Sequence, residues 1–334
     1  MDSDERIETE GASVNPRRNF LRQTVALGSA AAVVAGAARA EGSQAGGAAS
    51  QPSGTAAAPY SNYTCFKFRF DGAVAYVSMD HGPLNLLDEA MSAEFERLGA
   101  ELEFDDSVRV VVLQSALPDF FMAHSGLGRF SGPVKPASRS RSFRLTQSLY
   151  ERFRNMPKVT IAKVEGRARG GGSELALAMD MCFAAIGKAF FRQPEVAWGF
   201  VPGGGSTQRL PRQMGRQRAL EVLLGSNDIS AELADHYGYI NRALPPNELG
   251  PFVDKLAHRI ASFPPYAIAH IKTAVDVGAF SSISEGLLVE AHESDLALAN
   301  PQTLERVMLS KKLGAENYQS ELDMDFLAKM PPAR

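Results

Sequence analysis

Cysteine is scarce in this chain, which has two, Cys65 and Cys182, among its 334 residues. A small fold held together by disulfides is therefore excluded, because such folds need several cysteine pairs. Both cysteines lie in apolar stretches that are typical of strands, and we predict that they are buried free thiols. The chain must instead fold around an apolar core, and its length is ample for one.

The sequence also lacks a strong charge of either sign and any pattern of metal ligands. Its formal net charge is −3, so its composition gives no electrostatic reason to bind nucleic acid. The six histidines are scattered, without the spacing of a metal site. The glycines at 203–205 are not followed by the lysine of a phosphate-binding loop, and residues 172–175 lack the second glycine of a nucleophile elbow. We predict no bound metal and no nucleic-acid partner.

The apolar run at residues 24–38 is too short for a comfortable membrane span. Two adjacent arginines, Arg17 and Arg18, precede this run, and the small-residue pattern Ala-Arg-Ala at 38–40 follows it. Paired arginines, an apolar stretch and a small-residue cleavage site are typical of a twin-arginine export signal. We therefore predict a signal segment at residues 1–40.

Residues 41–63 are rich in Gly, Ala, Ser and Gln, and we predict that they form a flexible linker. If the signal is used, the protein is expected in the periplasm, without a stable membrane anchor after processing. Otherwise the protein is expected in the cytoplasm. The alternative to a signal is an amphipathic or disordered tail in which the arginine pair is fortuitous.

Alternating and periodic apolar residues after the linker predict strands and helices. Residues 66–70 alternate apolar and polar, Asp71-Gly72 favours a hairpin turn, and residues 74–79 form a second strand. Asp88 is a candidate N-cap for a helix, and residues 108–113 are predicted as the strand after it. The apolar stripe of this helix consists of Met91, Phe95, Leu98 and Leu102.

The order of strand, strand and helix recurs further along the chain. A second amphipathic helix precedes a strand at residues 159–164, and the same order recurs through residues 170–195. From Ser206 onward the pattern is mostly helical, with helix starts at Ser230 and Asn300. The apolar side of the second helix consists of Leu145, Leu149, Phe153 and Met156. We therefore predict repeated strand-strand-helix units followed by a helical C-terminal region.

A glycine-rich turn and two carboxylates lie in the middle of the chain. The glycines at 170–172 let the backbone approach a ligand closely, and Ser173 is a plausible N-cap for a helix whose first turn holds Glu174. Glu195 lies 21 positions later, so the carboxylates meet only if this helix and a buried strand at 181–186 fold back on each other. A first-turn glutamate is favourable in any helix, so these residues alone leave a purely structural role open.

Two segments around these carboxylates resemble the enoyl-CoA hydratase/isomerase (crotonase) superfamily. They are IAKVEGRARGGGSELALAMD, at residues 161–180, and FFRQPEVAWGFVPGGGSTQRLPR, at residues 190–212. The resemblance implies an α/β fold, a crotonase-like spiral of repeated strand-strand-helix units, with its core at residues 64–265 and a helical C-terminal region at residues 266–334. It also implies a homotrimer or a dimer of trimers, an acyl-CoA substrate and no cofactor.

The resemblance further implies roles for particular residues. Glu174 would be the base that activates water, and Glu195 the acid that gives a proton to the α-carbon. The backbone N–H groups of Ser125 and Gly171 would hold the negative charge that builds up on the thioester oxygen. The residues implied to contact the substrate are Ala123, His124 and Gly172.

The loop FMAHSGL at residues 121–127, which carries Ser125, departs from the family pattern at two positions. His124 replaces a glycine and Gly126 replaces the usual acid. A backbone donor does not depend on its own side chain, so the oxyanion site can survive both changes. His124 has two open interpretations, a part in the chemistry or packing within the loop. Arg169 also has two open interpretations, since it can pair with an acid or face a phosphate.

The presence of both glutamates favours hydration of a 2-enoyl-CoA thioester to a 3-hydroxyacyl-CoA. Other crotonase reactions on an acyl-CoA, isomerisation or hydrolysis, are alternatives, because one fold hosts many reactions. A second class of function is a non-catalytic, exported binding protein with the crotonase fold. The altered loop and the export signal favour that class, and the glutamate pair argues against it.

Overall fold

Two β-sheets and a set of helices form the part of the chain that the structure describes, residues 59–130 and 142–333 of a computed structural model. The strands are β1 Phe66–Asp71, β2 Val74–Met79, β3 Val110–Ser115, β4 Phe120–Met122, β5 Val159–Val164, β6 Arg167–Arg169, β7 Met181–Ala185, β8 Phe190–Arg192, β9 Ile229–Ser230 and β10 Arg242–Leu244. The helices are α1 Glu89–Phe104, α2 Leu145–Asn155, α3 Gly171–Ala178, α4 Ser206–Met214, α5 Arg216–Gly225, α6 Ala231–Tyr237, α7 Pro246–Ala261, α8 Pro265–Gly278, α9 Ile283–Ala299, α10 Pro301–Leu313, α11 Tyr318–Asp323 and α12 Asp325–Lys329. Two 3₁₀ turns are Leu127–Phe130 and Glu195–Trp198.

From β3 to β8 the strands alternate between two sheets. One sheet has the order β1-β2-β3-β5-β7-β10 and the other has the order β4-β6-β8-β9. The strands β1 and β2 form an antiparallel hairpin, and all other neighbours in the first sheet are parallel. Each of β3, β5 and β7 is followed by a strand of the second sheet before the next α-helix begins. This recurrence is the predicted spiral of strand-strand-helix units, so the predicted fold class is confirmed.

Local signals in the sequence account for the first hairpin and helix. Asp71 and Val74 are paired across the turn, where Gly72 has a φ of 55° that a side chain would strain. The side chain of Asp88 accepts a hydrogen bond from the Met91 N–H and so caps α1. The strand predicted at residues 108–113 differs from β3, which starts two residues later because its register with β2 begins there.

The N-terminal end of the described chain differs from the prediction. The signal predicted at residues 1–40 and most of the linker predicted at 41–63 lie outside the described residues. The end of that linker is packed on α1, since the Tyr60 N–H donates to Glu101 (3.0 Å) and the Tyr60 hydroxyl donates to Asp105 (2.7 Å). The packed chain therefore begins before residue 64. Composition gave no sign of this, because the contacts join residues about 40 positions apart.

The inner strands of the first sheet, β2, β3, β5 and β7, are buried on both faces, as their continuous apolar sequences require, whereas the edge strand β1 is largely exposed. One face packs against α7 through the side chains of Val74, Val110, Ile161, Phe183, Leu249, Val253 and Ala257. The other face packs against α1, α2 and α3 through a larger cluster that includes Val77, Val111, Phe95, Phe153 and Leu175. Cys65 and Cys182 are both buried free thiols, as predicted. The layer between the sheet and α1–α3 holds one edge of the candidate site in place.

The first C-terminal helix, α8, is held against the core by a partly buried lysine. Lys272 donates to the carbonyl oxygens of Met156 (3.0 Å) and Lys158 (2.6 Å) and to the carboxylate of Asp180 (2.8 Å). The following helices are less covered, and in the described chain α9 and α10 contain no buried residue. Large apolar side chains exposed on them include Leu287, Leu288, Leu298 and Leu304. No helix among the described residues is long and apolar enough to cross a membrane.

Candidate active site

The helix that carries Glu174 begins earlier than the sequence predicts. Its first residue is Gly171, and Gly170 is the cap residue, with a φ of 48°. Ser173 is therefore not the N-cap. It is buried in the first turn, and its hydroxyl shares a hydrogen bond of 2.5 Å with the hydroxyl of Tyr239. Glu174 still lies in the first turn, as predicted, where the positive end of the helix favours a negative oxygen.

The carboxylate of Glu174 is buried and held from one side. Its Oε1 atom accepts hydrogen bonds from the N–H of Gly204 (2.8 Å), the N–H of Ser206 (3.2 Å) and the Ser206 hydroxyl (3.2 Å). The guanidinium of Arg209 holds this loop by donating to the Gly204 carbonyl (2.9 Å). Burial raises the pKa of Glu174 above its ordinary value, although these donors and the charge of Arg209 oppose the increase.

The second carboxylate, Glu195, is also buried, but fewer hydrogen-bond donors hold it. It opens the 3₁₀ turn after β8, and its side chain is 5% exposed. Its Oε2 atom has no hydrogen-bond partner among the described residues. Burial, with a smaller effect from the negative charge of Glu174, raises the pKa of Glu195 from 4.5 to about 7. Near neutral pH this carboxyl can therefore hold a proton and can also lose it.

Both glutamates line one cavity of about 160 Å³. The strands β7 and β8, which follow α3, return the chain so that Glu195 meets Glu174. The other lining residues are His124, Ser125, Leu127, Arg144, Leu145, Thr146, Gly171, Trp198, Phe200, Val201, Gly203 and Gly204. The cavity therefore combines two acidic groups and a helix N-terminus with apolar and aromatic walls.

The two backbone groups predicted as oxyanion donors come close together. The N–H of Leu87 donates to the His124 carbonyl (3.3 Å), and the N–H of Gly126 donates to the Leu87 carbonyl (3.1 Å). Successive N–H groups of an extended chain point to opposite sides, so the N–H of Ser125 points away from Leu87. A Cβ atom built on Gly171 would lie 3.6 Å from the Ser125 nitrogen. Gly171 is the first residue of α3, where N–H groups lack acceptors within the helix.

Only one of the three residues predicted to contact substrate lines the cavity. That residue is His124. Ala123 is buried, with its N–H donating to the Leu84 carbonyl (3.0 Å). Gly172 packs against β4, where a Cβ atom would lie 2.0 Å from the Met122 carbonyl oxygen. Close contact of α3 with β4 packs Ala123 and Gly172 next to the cavity, and their contact with substrate stays a prediction.

The sequence did not reveal several groups that shape the site. The Tyr150 hydroxyl donates to the Gly171 carbonyl (2.8 Å), and Trp198 packs against the ring of His124. The one usable signal for the donors to Glu174 was the glycine run at 203–205, which precedes α4. Arg169 does not line the cavity. It pairs with Asp228 at 3.0 Å, so its alternative of pairing with an acid is the one observed.

Replacing Glu195 with glutamine should make the stability of the protein less dependent on pH. The folded state binds the Glu195 proton more tightly than the unfolded chain, so wild-type stability is lost as pH rises from the unfolded pKa of 4.5 towards 7. Glutamine cannot ionise. The free energy of unfolding of Glu195→Gln, relative to that of wild type, should therefore rise by roughly 2 kcal/mol from pH 5 to pH 8. Urea unfolding at both pH values measures this gain. The exposed Glu305→Gln is the control, and equal gains in both variants would contradict the prediction.

The described residues contain no group of three or more His, Cys, Asp or Glu side chains that could hold a metal ion. Several groups at the cavity can take part in acid–base chemistry. These are one well-supported carboxylate, one carboxyl with a pKa near neutrality, and backbone N–H donors at the start of a helix. Such a combination suits a reaction that needs an acid, a base and stabilisation of a negative oxygen.

The chain is similar to known proteins over most of its folded part. It is 32% identical over 228 residues to the crotonyl-CoA hydratase of Syntrophomonas wolfei subsp. wolfei, which covers 68% of this chain and 86% of the relative. It is 31% identical over 222 residues to the short-chain-enoyl-CoA hydratase of Clostridium acetobutylicum, with 66% and 84% covered. The crystal structure of an enoyl-CoA hydratase from Bacillus anthracis matches with a TM-score of 0.68 and 28% identity, over 74% of this chain and 96% of that one.

The sequence profile of a family, enoyl-CoA hydratase/isomerase, matches residues 69–297. This range is longer than the predicted core of 64–265 at its C-terminal end, and it includes α8 and most of α9. The matched residues include both glutamates, the loop that carries Ser125 and both sheets except the first half of β1. The chain therefore belongs to the enoyl-CoA hydratase/isomerase family.

Proposed function

We propose that this enzyme adds water to the double bond of a 2-enoyl-CoA thioester and forms a 3-hydroxyacyl-CoA. The observation that carries the proposal is the pair of buried carboxyl groups in one cavity. Three hydrogen-bond donors hold Glu174 Oε1, whereas Glu195 Oε2 has no hydrogen-bond partner among the described residues. Two relatives are named hydratases of crotonyl-CoA and of short-chain enoyl-CoA, which supports the same reaction. The enzyme is accordingly hydratase-like, a lyase.

The thioester carbonyl becomes negatively charged as water adds to the conjugated double bond. The N–H groups of Ser125 and Gly171 are the donors we assign to that oxygen, because they approach each other at the edge of the cavity. The N-terminus of α3 adds a positive dipole at the same place. Both donors belong to backbone that is already held in position, so little reorganisation is needed during the reaction.

The two glutamates divide the proton transfers between them. Glu174, ionised, takes a proton from the water whose oxygen bonds to the β-carbon. Glu195, protonated, gives its proton to the α-carbon as the double bond is consumed. The pKa of about 7 suits this donor, since a carboxyl of ordinary acidity would rarely be protonated at neutral pH. Exchange of protons with solvent then restores the starting state of both groups, and no cofactor is needed in this scheme.

The test is a panel of 2-enoyl-CoA thioesters incubated with the full chain. Hydration removes the conjugated double bond, so the ultraviolet absorbance of the enoyl thioester should fall, and the 3-hydroxyacyl-CoA should appear by mass spectrometry. Release of free CoA and the unsaturated acid would point instead to hydrolysis. Conversion to a 3-enoyl isomer would point to isomerisation. The absence of any reaction across the panel would count against catalysis and favour the binding-protein alternative. That alternative rests on the altered residues His124 and Gly126 and on the predicted export signal.

We also propose that the N-terminal segment exports the protein to the periplasm. The support is the sequence pattern alone, with Arg17 and Arg18 ahead of the apolar run. In bacterial cells, a tagged full-length chain should be found in the periplasm at a reduced mass. A variant with both arginines changed to lysine should remain in the cytoplasm at full mass. Wild-type chain that stays in the cytoplasm uncleaved would refute export and leave the cytoplasm as its location.

We propose that the protein assembles as a homotrimer or a dimer of trimers through its C-terminal helices. Their uncovered apolar side chains, among them Leu288 and Leu304, support contact with further copies of the chain. Sedimentation analysis of the purified protein should give a mass three or six times that of one chain. A mass equal to that of one chain at micromolar concentration would contradict the proposal, because the protein would then be a monomer.

A further inference from the structure

His124 has a defined orientation inside the cavity. Its Nδ1 atom lies 2.9 Å from the carbonyl oxygen of Ser125, and because a carbonyl oxygen only accepts, Nδ1 carries the proton of this hydrogen bond. The ring is thereby tied to the residue whose N–H is the assigned oxyanion donor. The glycine that the family resemblance implies at this position has no ring, so the imidazole is an addition to the cavity wall.

The imidazole also contacts the segment that carries the acid. Its ring meets the ring of Trp198 edge to face, with centroids 5.0 Å apart and planes at 75°. Trp198 stacks in turn on Phe200, with centroids 5.8 Å apart. Trp198 ends the 3₁₀ turn that Glu195 begins. Three aromatic rings therefore form one wall beside the acid, and we call His124, Trp198 and Phe200 the aromatic wall.

The glycine at position 170 shows how near His124 and the acid are to each other. A Cβ atom built there would lie 2.8 Å from Glu195 Oε1 and 3.1 Å from the Cβ atom of His124. The Glu195 carboxyl group and the His124 Cβ atom thus both lie close to Gly170. In the proposed reaction Glu195 gives its proton to the α-carbon, so the imidazole stands beside the acyl group.

We propose that His124 is a specificity-determining residue, whose imidazole completes the aromatic wall and limits the site to short acyl groups. This inference rests on the proposed function for the identity of the thioester. The cavity of about 160 Å³ is close in size to an engineered cavity of about 150 Å³ that holds benzene, which has six heavy atoms. An acyl group of four to about six carbons would fill such a space. A longer chain has to displace the imidazole, which two contacts hold in place.

The experiment measures binding of saturated acyl-CoA thioesters, which cannot be hydrated. Isothermal titration with butyryl-CoA and octanoyl-CoA gives the ratio of their dissociation constants for the full chain and for three variants. Wild type should bind butyryl-CoA about tenfold or more tightly than octanoyl-CoA. His124→Gly should reduce that preference to about threefold or less, mainly by tighter binding of octanoyl-CoA. His124→Phe, which keeps a ring but loses the hydrogen bond to Ser125, should retain it.

The control variant is His236→Ala, in which an exposed histidine outside the cavity is removed and the wild-type ratio is expected. Thermal melting of each variant shows whether it is folded. If the glycine variant unfolds, loss of the short-chain preference in folded His124→Phe would overturn the proposal, because the ring alone would then not set the preference. An unchanged ratio in folded His124→Gly would overturn the proposal. Equal weakening of both ligands would also overturn it, because the imidazole would then contact the CoA portion that both share.

Hydration rates separate a failure of this inference from a failure of the proposed function. If no enoyl-CoA is hydrated but the binding ratio changes as expected, the hydration proposal falls and acyl-length selection by His124 stands. If short enoyl-CoA thioesters are hydrated while His124→Gly keeps the wild-type order of kcat/KM across chain lengths, the hydration proposal stands and acyl-length selection by His124 falls.

Discussion

Replacing Glu174 with glutamine should reduce kcat for hydration of a short 2-enoyl-CoA by about 10³-fold, and replacing Glu195 with glutamine should have an effect of similar size. An amide at position 174 keeps the volume of the carboxylate and an oxygen for the donors on Gly204 and Ser206, so the loop should stay in place. It cannot take a proton from water, however. An amide at position 195 likewise cannot supply the proton for the α-carbon.

The two glutamate variants should change kcat far more than KM, because both amides fit the space that the carboxyl groups occupy. The fall in enoyl-thioester absorbance measures both constants. The double variant should be little slower than either single one, since groups that act in one step lose their effects together. Glu305→Gln, on an exposed helix face, is the matched control and should keep wild-type turnover. Wild-type turnover in either single variant would remove that glutamate from the proposed mechanism.

Replacing Gly172 with alanine should destabilise the protein strongly and abolish turnover as well. The new Cβ atom would lie 2.0 Å from the Met122 carbonyl oxygen and 2.7 Å from its carbon, which are backbone atoms of β4 and cannot rotate away. Helix α3 would have to move off that strand, and Gly171 and Glu174 would move with it. Overpacking of this kind costs roughly 3 kcal/mol or more, which in a domain of this size lowers Tm by about 10 °C.

The alanine variant of Gly278 is the matched control for this experiment. Gly278 is the last residue of α8, and a Cβ atom there would meet nothing within 4 Å in the described chain. Alanine is the better helix former, so Gly278→Ala should be neutral or stabilise the protein by up to about 1 kcal/mol. Thermal melting and circular dichroism compare the two variants. A Gly172→Ala protein that melts within about 2 °C of wild type would show that the contact between α3 and β4 is looser than the geometry requires.

Elements with local signals could be predicted from the sequence. The turn at Gly72 and the cap at Asp88 each act within about three residues, so the pattern around them was sufficient. The same holds for the late helix that begins after Asn300, whose side chain accepts from the N–H of Gln302. The predicted start of α3 was wrong for a related reason. Ser173 is a favourable cap by residue type, but the backbone at Gly170 allowed the helix to start before it.

The supports of the site could not be predicted, because they join distant parts of the chain. The donors to Glu174 come from Gly204 and Ser206, which are 30 and 32 positions away in the sequence. Arg169 pairs with Asp228, 59 positions away, and nothing near either residue indicates this. That Glu174 and Glu195 belong to one site was predicted through the family resemblance. Periodicity alone required only that a helix and a strand fold back on each other.

The two buried thiols make the chain a reporter of its own unfolding. Burial raises the pKa of both Cys65 and Cys182, and alkylating reagents attack only an accessible thiolate. Each thiol can therefore be modified only while its surroundings are open. Cys65 directly precedes the edge strand β1, whereas Cys182 lies in β7 between two neighbouring strands. Mass spectrometry of alkylated protein would thus time the opening of the edge and of the centre of one sheet separately, with no label added to the molecule.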